Sequence, residues 1–320
     1  MRIIGGEADL IQTRLNEYFT DSGRSSLKLL LHKLKTKKFL VPNYLCEIMI
    51  KIFNEFGIDY SFYNINSDLL IDTASIEGKN YEVLYVINYF GQNHDLCDFI
   101  DQDTIVVEDN VFLPQFENSM NIDNWAGFNS FRKISPIADG SLIKSTFKLP
   151  DELIKENRSD FAQTKYMAKD MKYQYIKDNR YSEEEYLALF KQAENKLDMQ
   201  EEIYNISSHS LFRLFDFMGR IEQEYSARIG NFNVLDSYLS DKSVKIKTKF
   251  PSFYILSVGR RDELREYLFS KKIFLPVHWP SINGVSSDLC KALISIPVDS
   301  RYNEEDMSRI AGLVNEFYMS

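Results

Sequence analysis

Residues Thr104 to Asp109 constrain the fold more than any other stretch. Thr104 to Val107 are all apolar or β-branched, and two carboxylates, Glu108 and Asp109, follow at once. A short continuous apolar run is what a strand covered on both faces of a parallel sheet requires. In open α/β sheets such strands end at the crevice where ligands bind. The run therefore predicts an interior strand that delivers an acid to a site. The competing reading of Asp109 is a surface carboxylate capping a loop.

The flanking sequence repeats the pattern. Asp21-Ser22-Gly23-Arg24-Ser25-Ser26 precedes the apolar run L-K-L-L-L-H-K-L-K. A Ser/Gly cluster there marks a helix start, whose free N–H groups either hold an anion or are simply capped. Phe39 to Pro42 predicts a strand, Tyr44 to Phe56 a helix ended by Gly57, Tyr60 to Tyr63 a strand, and Asn66 to Asp72 a polar turn. Val83 to Phe90 predicts a strand ended by Gly91, and His94 to Phe99 a short helix. The order α-β-α-β-β-α-β argues for a mostly parallel sheet sandwiched by helices. Past Pro150 the composition changes. Asp151 to Gln200 is rich in Lys, Glu, Gln, Asp and Tyr and predicts helices with turns near Asn157 and Asn179, their charge runs forming solvated faces. Ser210 to Arg228 predicts one amphipathic helix. The tail follows as a strand at Phe253 to Val258, a helix at Glu263 to Phe269, strands at Ile273 to Val277 and Ala292 to Ile296, and a last helix from Glu304 to Phe317. We expect a large α/β domain over 1–205, with 151–205 as its helical segment, and a smaller α+β domain over 206–320.

Composition removes several function classes. The 320 residues carry a net charge of −9, which argues against a broad nucleic-acid footprint. Cys46, Cys97 and Cys290 make an odd number of cysteines without a C-x-x-C, so a disulfide framework is not expected and a reducing cytoplasm fits. His32, His94, His209 and His278 lie far apart, and no metal site is expected. The start M-R-I-I-G-G-E-A-D has no apolar core of signal-peptide length, and Val83 to Phe90 is too short to span a bilayer. Neither G-x-G-x-x-G, G-x-x-x-x-G-K-[ST] nor G-x-S-x-G occurs.

The stretch Phe128 to Ser141 places Lys133 beside Arg132, among Phe128, Phe131, Ile134 and Pro136, just before the turn Asp139-Gly140. One reading is a solvated basic loop. The other is a partly desolvated amine beside a second cation, which makes it a better nucleophile. An acid at a strand end and a lysine on a tight loop are what a pyridoxal phosphate site needs: the acid keeps the pyridine nitrogen protonated, and the lysine holds the cofactor covalently. In the tail, Arg301 follows an apolar strand and Pro297. It either clamps an anionic group or pairs with Glu304 or Glu305. His278, beside Trp279, is either a packed loop residue or a ligand contact.

Taken in order, these pieces resemble the pyridoxal-phosphate-dependent sugar aminotransferases of the DegT/DnrJ/StrS type, a branch of the fold-type I aminotransferases. Gly23 to Leu27 is similar to the family's G-T-x-A-L phosphate-binding helix start, and Val41-Pro42-Asn43-Tyr44 to its V-P-x-[YF] element. Ile87 to Gln92 is similar to V-H-L-Y-G-Q. Val106 to Asp109 resembles the strand with the pyridine-nitrogen aspartate, and Ser130-Phe131-Arg132-Lys133 with Asp139-Gly140 the S-F…K…[ED]-G-G loop. Ala227-Arg228 with Asn231, Leu275 to Trp279, and Ser295-Ile296-Pro297 are similar to later segments of the family. The chain departs from the pattern in four places. Lys133 follows Ser130 by three positions instead of five, Arg24 replaces the threonine, Phe112 stands three after the aspartate, and Asn88 replaces the histidine.

The resemblance implies a fold-type I scaffold and an aminotransferase that moves an amino group, from glutamate as the expected donor, to a keto-sugar. That sugar is expected to be nucleotide-linked and destined for surface polysaccharide. It implies pyridoxal phosphate as cofactor and a homodimer with sites between subunits. By position, Lys133 and Asp109 would be catalytic. Gly23, Arg24, Ser25, Tyr44 and Ser130 would join them around the cofactor, and His278 and Arg301 are candidates for the substrate. Two alternatives remain open: another reaction of the same cofactor, such as dehydration or an amino-acid or amine transamination, and a cofactor-free relative acting as a binding or structural subunit.

Overall fold

A computed structural model describes residues 15–96, 99–156, 160–285 and 287–319. Cys97, Asn157 and the first nine residues, all used above, lie outside them. Seven strands form one sheet: β1 (Asn16–Thr20), β2 (Lys38–Pro42), β3 (Asp59–Tyr63), β4 (Val83–Ile87), β5 (Ile105–Asp109), β6 (Trp125–Phe128) and β7 (Ser141–Ser145). Their order is β1-β7-β6-β5-β4-β2-β3. Only β7 runs against its neighbours; the other pairings, from β3 across to β6, are parallel. The expected buried strand is thus β5, between β4 and β6, with Asp109 in register with Ile87 on one side and Phe128 on the other. All five residues of β4 are buried, as an interior parallel strand demands.

Helix α1 (Gly23–Leu34) follows β1. Its N-cap is Ser22, whose side chain accepts from the Ser25 N–H. Leu27, Leu29, Leu30 and Leu31 are fully enclosed, each contributing about 1.5–3 kcal/mol of burial. Helix α2 (Glu47–Glu55) links β2 to β3, and α3 (Phe131–Ile134) is a single turn between β6 and β7. Helices α4 (Asp160–Asp178) and α5 (Glu183–Asp198) form a hairpin, and Ser182 and Glu185 make a reciprocal capping box at the start of α5. The hairpin is flanked by a short parallel pair, β8 (Ile154–Lys155) and β9 (Ile203–Tyr204). Helices α6 (Ser208–Gly219) and α7 (Ile221–Leu239) lead to β10 (Phe253–Ser257), α8 (Arg261–Ser270), α9 (Leu289–Ala292), β11 (Leu293–Pro297) and α10 (Glu304–Met319). β10 and β11 pair antiparallel. A second hydrophobic cluster is built wholly from this tail, from Leu235 to Phe317. Among the described residues no helix is long and apolar enough to cross a membrane, and no cluster suited to a metal ion occurs.

Several expectations need correcting. The run from Val83 leaves the sheet after Ile87: Phe90 and Gly91 take positive φ of 53° and 90°, and a Cβ on Gly91 would lie 2.5 Å from Thr248 Oγ1. No helix forms among the described residues of 94–99. Instead His94 is buried with Nε2 3.0 Å from the Ile87 carbonyl. The single helix expected at 210–228 is two, broken at Arg220 (φ −114°, ψ 16°). Residues 273–277 bury Ile273 and Leu275 without joining a ladder, because Pro276 has no N–H to donate. The lysine expected on a loop sits on α3.

Candidate active site

Asp109 is placed by β5 and almost completely buried. The Tyr85 hydroxyl donates to Oδ2 at 2.8 Å and the Val111 N–H to Oδ1 at 3.1 Å. Burial pushes its carboxyl up to about 6, while those two bonds and the charge of Lys133 hold it down. Near neutral pH the group is therefore an ionised carboxylate whose charge faces few competing waters. Its neighbour Glu108 is pushed up to about 7 by burial. A folded-state value above the unfolded one gives stability that is complete below the unfolded value and is lost as pH rises through about 7. Glu108→Gln should accordingly raise the melting temperature at pH 8 and change it little at pH 5; equal shifts at both pH values would refute the burial account.

Lys133 lies on the one-turn helix α3. Phe131 and Ile134 of that helix are buried and fix it to the core, while Lys133 keeps contact with solvent. Its amine is held below the usual lysine range, first by the Arg132 guanidinium and then by the protein packed around it, with Cys46 and Glu194 pulling the other way. The charge of Lys133 reaches the Asp109 carboxyl and is the weakest of the influences holding it down.

What holds α3 is a relay of backbone bonds. The Phe131 N–H donates to the Gly140 carbonyl at 3.0 Å, the Gly140 N–H to the Asp21 carbonyl at 2.6 Å, and the Asp21 N–H to the Tyr204 carbonyl at 2.8 Å. Asp139 anchors the turn: it accepts from the Ser207 N–H and hydroxyl at 2.8 and 2.7 Å, and also from Ser210. Gly140 has φ +122°, and a Cβ there would lie 2.5 Å from Ile206 Cδ1. Gly140→Ala should cost about 1–3 kcal/mol, read as a lower urea midpoint; an unchanged midpoint would mean the turn is not under this constraint.

The start of α1 meets this assembly. A Cβ on Gly23 would lie 3.4 Å from the Asn129 carbonyl oxygen and 3.5 Å from Ser130 Cβ, so Gly23 and Ser130 are side by side. Ser25 Oγ accepts from the Ser22 hydroxyl at 3.2 Å and from Gln200 Nε2 at 3.4 Å. Asp21 is buried beside them, pushed up to about 6 by burial and bonded by Gln200. Arg24 points elsewhere: its guanidinium pairs with Asp198 and stands 3.9 Å from Glu194, both on α5. A cavity of about 390 Å³ flanks the helix start, lined by Arg24, Ser25, Lys28, Cys46 and Asp198 among others. Neither Lys133 nor Asp109 lines it.

Tyr44 is completely enclosed, stacked on Tyr89 with centroids 5.5 Å apart and edge-on to Trp279 at 5.2 Å. His278 lies among Phe90, Phe112 and Phe253, at 5.5, 5.6 and 4.9 Å, with Nδ1 2.9 Å from Ser295 Oγ. Burial, and then Lys133, push its imidazole down to about 3, so it is neutral near the lysine. Arg301 is exposed and pairs with Asp299 through Nε at 2.5 Å and Nη2 at 2.8 Å, in place of Glu304 or Glu305. The structure thus brings Lys133, Asp109 and His278 together and sets Gly23 against Ser130. It leaves Arg24 and Arg301 in ion pairs.

Sequence reasoning missed two parts of the site. One is Tyr85, a phenol in the middle of an otherwise aliphatic strand, which was the available signal. The other is the inward face of α4. Lys165 and Arg132 share the Glu194 carboxylate, Arg132 at 3.1 Å, and their side chains are 12% and 9% exposed. These charges are not a solvated face.

No family model and no curated protein sequence matches this chain. Solved structures do. A DegT DnrJ EryC1 StrS aminotransferase from Brucella abortus superposes with a TM-score of 0.65 at 14% identity, covering 94% of this chain and 85% of the other. The fold is fold-type I. Helicobacter pylori PseC, an aminotransferase involved in the biosynthesis of pseudoaminic acid, matches with a TM-score of 0.63 at 14% identity over 94% of this chain and 86% of its own. DesI, solved in the presence of its TDP-sugar product, matches with 0.58 at 12% identity over 94% and 80%. The fold-type I scaffold expected from the resemblance is the one observed, including the mostly parallel sheet and the α+β tail.

Proposed function

We propose that this protein is a pyridoxal-phosphate-dependent aminotransferase acting on a keto-sugar, with glutamate as amino donor. The proposal is carried by Asp109, buried at the carboxyl end of β5 and held by Tyr85, where the charge of Lys133 also reaches it. The residues fit the cofactor. A buried acid, held by Tyr85, offers an oxygen to a pyridine N–H; an open, cation-flanked amine stands within its reach; and a helix N-terminus with Gly23 and Ser130 adjacent suits a phosphate. When bound, pyridoxal phosphate would supply the electron sink.

The chain's own residues then have distinct tasks. Asp109 Oδ would accept from a pyridine N–H and favour its protonated form. Lys133 Nζ would hold the cofactor and move the proton at the substrate carbon, and Arg132 keeps a larger share of that amine in the basic form. Gly23, Ser25 and Ser130 hold the phosphate, and Tyr44, with Trp279, Phe112 and neutral His278, forms a wall that excludes water. The sugar is nucleotide-linked in this proposal, as DesI's TDP-sugar product supports, and its product would enter surface polysaccharide. The proposal also includes a cytoplasmic homodimer with sites between subunits and a division of the chain at residue 205; a separate core from Leu235 onward supports a second unit, while Leu214, Phe217 and Phe250 pack with the first.

Borohydride reduction of the protein mixed with pyridoxal phosphate, followed by peptide mass mapping, should place the adduct on Lys133. An adduct spread over surface lysines would sink the assignment. Half-transamination with glutamate, followed by a panel of nucleotide keto-sugars and 2-oxo acids, separates the sugar reading from amino-acid transamination.

A further inference from the structure

The hairpin of α4 and α5 lies outside the segments that resemble the aminotransferase family, yet one of its side chains reaches the site. Glu194 sits on α5 beside Ala193 and one turn before Leu197, both buried, so the helix holds its carboxylate in a fixed place. Its Oε1 accepts from Arg132 Nη1 at 3.1 Å and from Lys165 Nζ, and Arg24 stands 3.9 Å from Oε2. One carboxylate thus joins α5 to α3, α4 and α1. Among the described residues Arg132 has no other ion-pair partner, and its Nε has no hydrogen-bond partner. A guanidinium so enclosed would be left uncompensated without Glu194. Glu194 therefore fixes where the charge of Arg132 stands, and Arg132 is the chain neighbour of Lys133.

That placement decides what the amine feels. Lys133 is faced by Arg132 from its own helix, Cys46 from the start of α2, Lys165 from α4 and Glu194 from α5. Its charge in turn reaches Asp109 on β5 and His278 in the segment after α8. Arg132, then burial, weaken its hold on a proton, and Lys165 acts in the same direction; Cys46 and Glu194 oppose them. Burial works to raise the Glu194 carboxyl, but Arg132, Lys165 and Lys133 outweigh it and hold the group at about 2. It is a fixed negative charge through the neutral and alkaline range. A group that takes a proton and returns it needs both of its forms within reach. Arg132 supplies the push toward the free amine, and Glu194 keeps that push from going too far.

We propose that Glu194 is a positioning residue for Lys133: from α5 it fixes the Arg132 guanidinium beside the amine and sets one negative charge against the cations gathered there, which makes the α4–α5 hairpin part of the active site. For its bearing on catalysis the proposal rests on the transaminase reading. The charge balance at Lys133 is measurable without it.

Full-length protein without cofactor is labelled with trace acetic anhydride over a range of pH. Peptide mass spectrometry reads the extent at Lys133, which gives the pH at which that amine titrates. Glu194→Gln keeps an oxygen for Arg132 and removes the charge, so the midpoint should fall by about half a pH unit. Lys165→Met removes a cation and should raise it. Loosening of the hairpin would let water reach Lys133 and raise the midpoint in both variants, so opposite shifts report charge and not misfolding. Glu184→Gln, about 15 Å away along α5, should leave the midpoint at the wild-type value. An unmoved or raised midpoint in Glu194→Gln would overturn the proposal. Saturating pyridoxal phosphate should protect Lys133 of the wild type from the label. Label uptake undiminished by the cofactor, together with the fall in Glu194→Gln, would uphold the role of Glu194 at Lys133 and remove the transaminase reading instead.

Discussion

Lys133→Ala protein mixed with pyridoxal phosphate should show only the absorbance of the free cofactor, and its amino-transfer rate should fall by about a hundredfold or more. Two roles end with one side chain: the covalent attachment and the proton transfer at the substrate carbon. The surroundings of Lys133 make it the residue to test. Arg132 beside it and the protein around it favour the neutral amine, while solvent still reaches the side chain. Lys165 and Lys169 are also depressed. Lys165 is tied to Glu194, however, and of the lysines it is Lys133 whose charge acts on Asp109. Lys165→Ala should therefore retain the wild-type spectrum. A normal spectrum in Lys133→Ala would hand the role to another lysine.

Asp109→Asn should lower turnover by roughly tenfold to a hundredfold, the cost of losing one charge-assisted bond, and added cofactor should not restore it. The same change should stabilise the cofactor-free protein above pH 6. Burial raises the Asp109 carboxyl from 3.8 to about 6, so its contribution to stability is complete below 3.8 and lost as pH rises through about 6. Asparagine keeps an oxygen for the Tyr85 hydroxyl and carries no charge to bury. Higher melting temperature with lower activity is the signature of an acid kept for chemistry. A carboxylate kept for structure would give a lower melting temperature at pH 8, measurable by calorimetry without any substrate.

The residues that made the site legible are those whose chemistry and local pattern agree. An apolar run that stops on two acids can scarcely be other than an interior strand, and β5 ends where the run does. The lysine, the Asp-Gly turn and the helix start were also visible, because turns and caps use a small vocabulary. Other parts left weaker traces. β6 is Trp125-Ala126-Gly127-Phe128, too short and glycine-broken to read as a strand; that glycine is there because a Cβ would lie 2.7 Å from the Trp125 ring. The aromatic run after β4 looks like more strand, yet Tyr89, Phe90 and Gly91 bury themselves by turning. Lys165 and Lys169 read as solvated because a helix presents charged residues to water in most proteins. Only the tertiary placement of α4 beside Arg132 turns them inward, and no local pattern encodes that.

The visible spectrum of the purified protein tests the central claim most directly, recorded after addition of pyridoxal phosphate and again after glutamate. We expect a band that free cofactor does not give, absent in Lys133→Ala, and lost on adding glutamate as the amino group is taken up. A spectrum identical to that of free pyridoxal phosphate at every concentration would contradict the account and leave a fold-type I scaffold that binds without this chemistry.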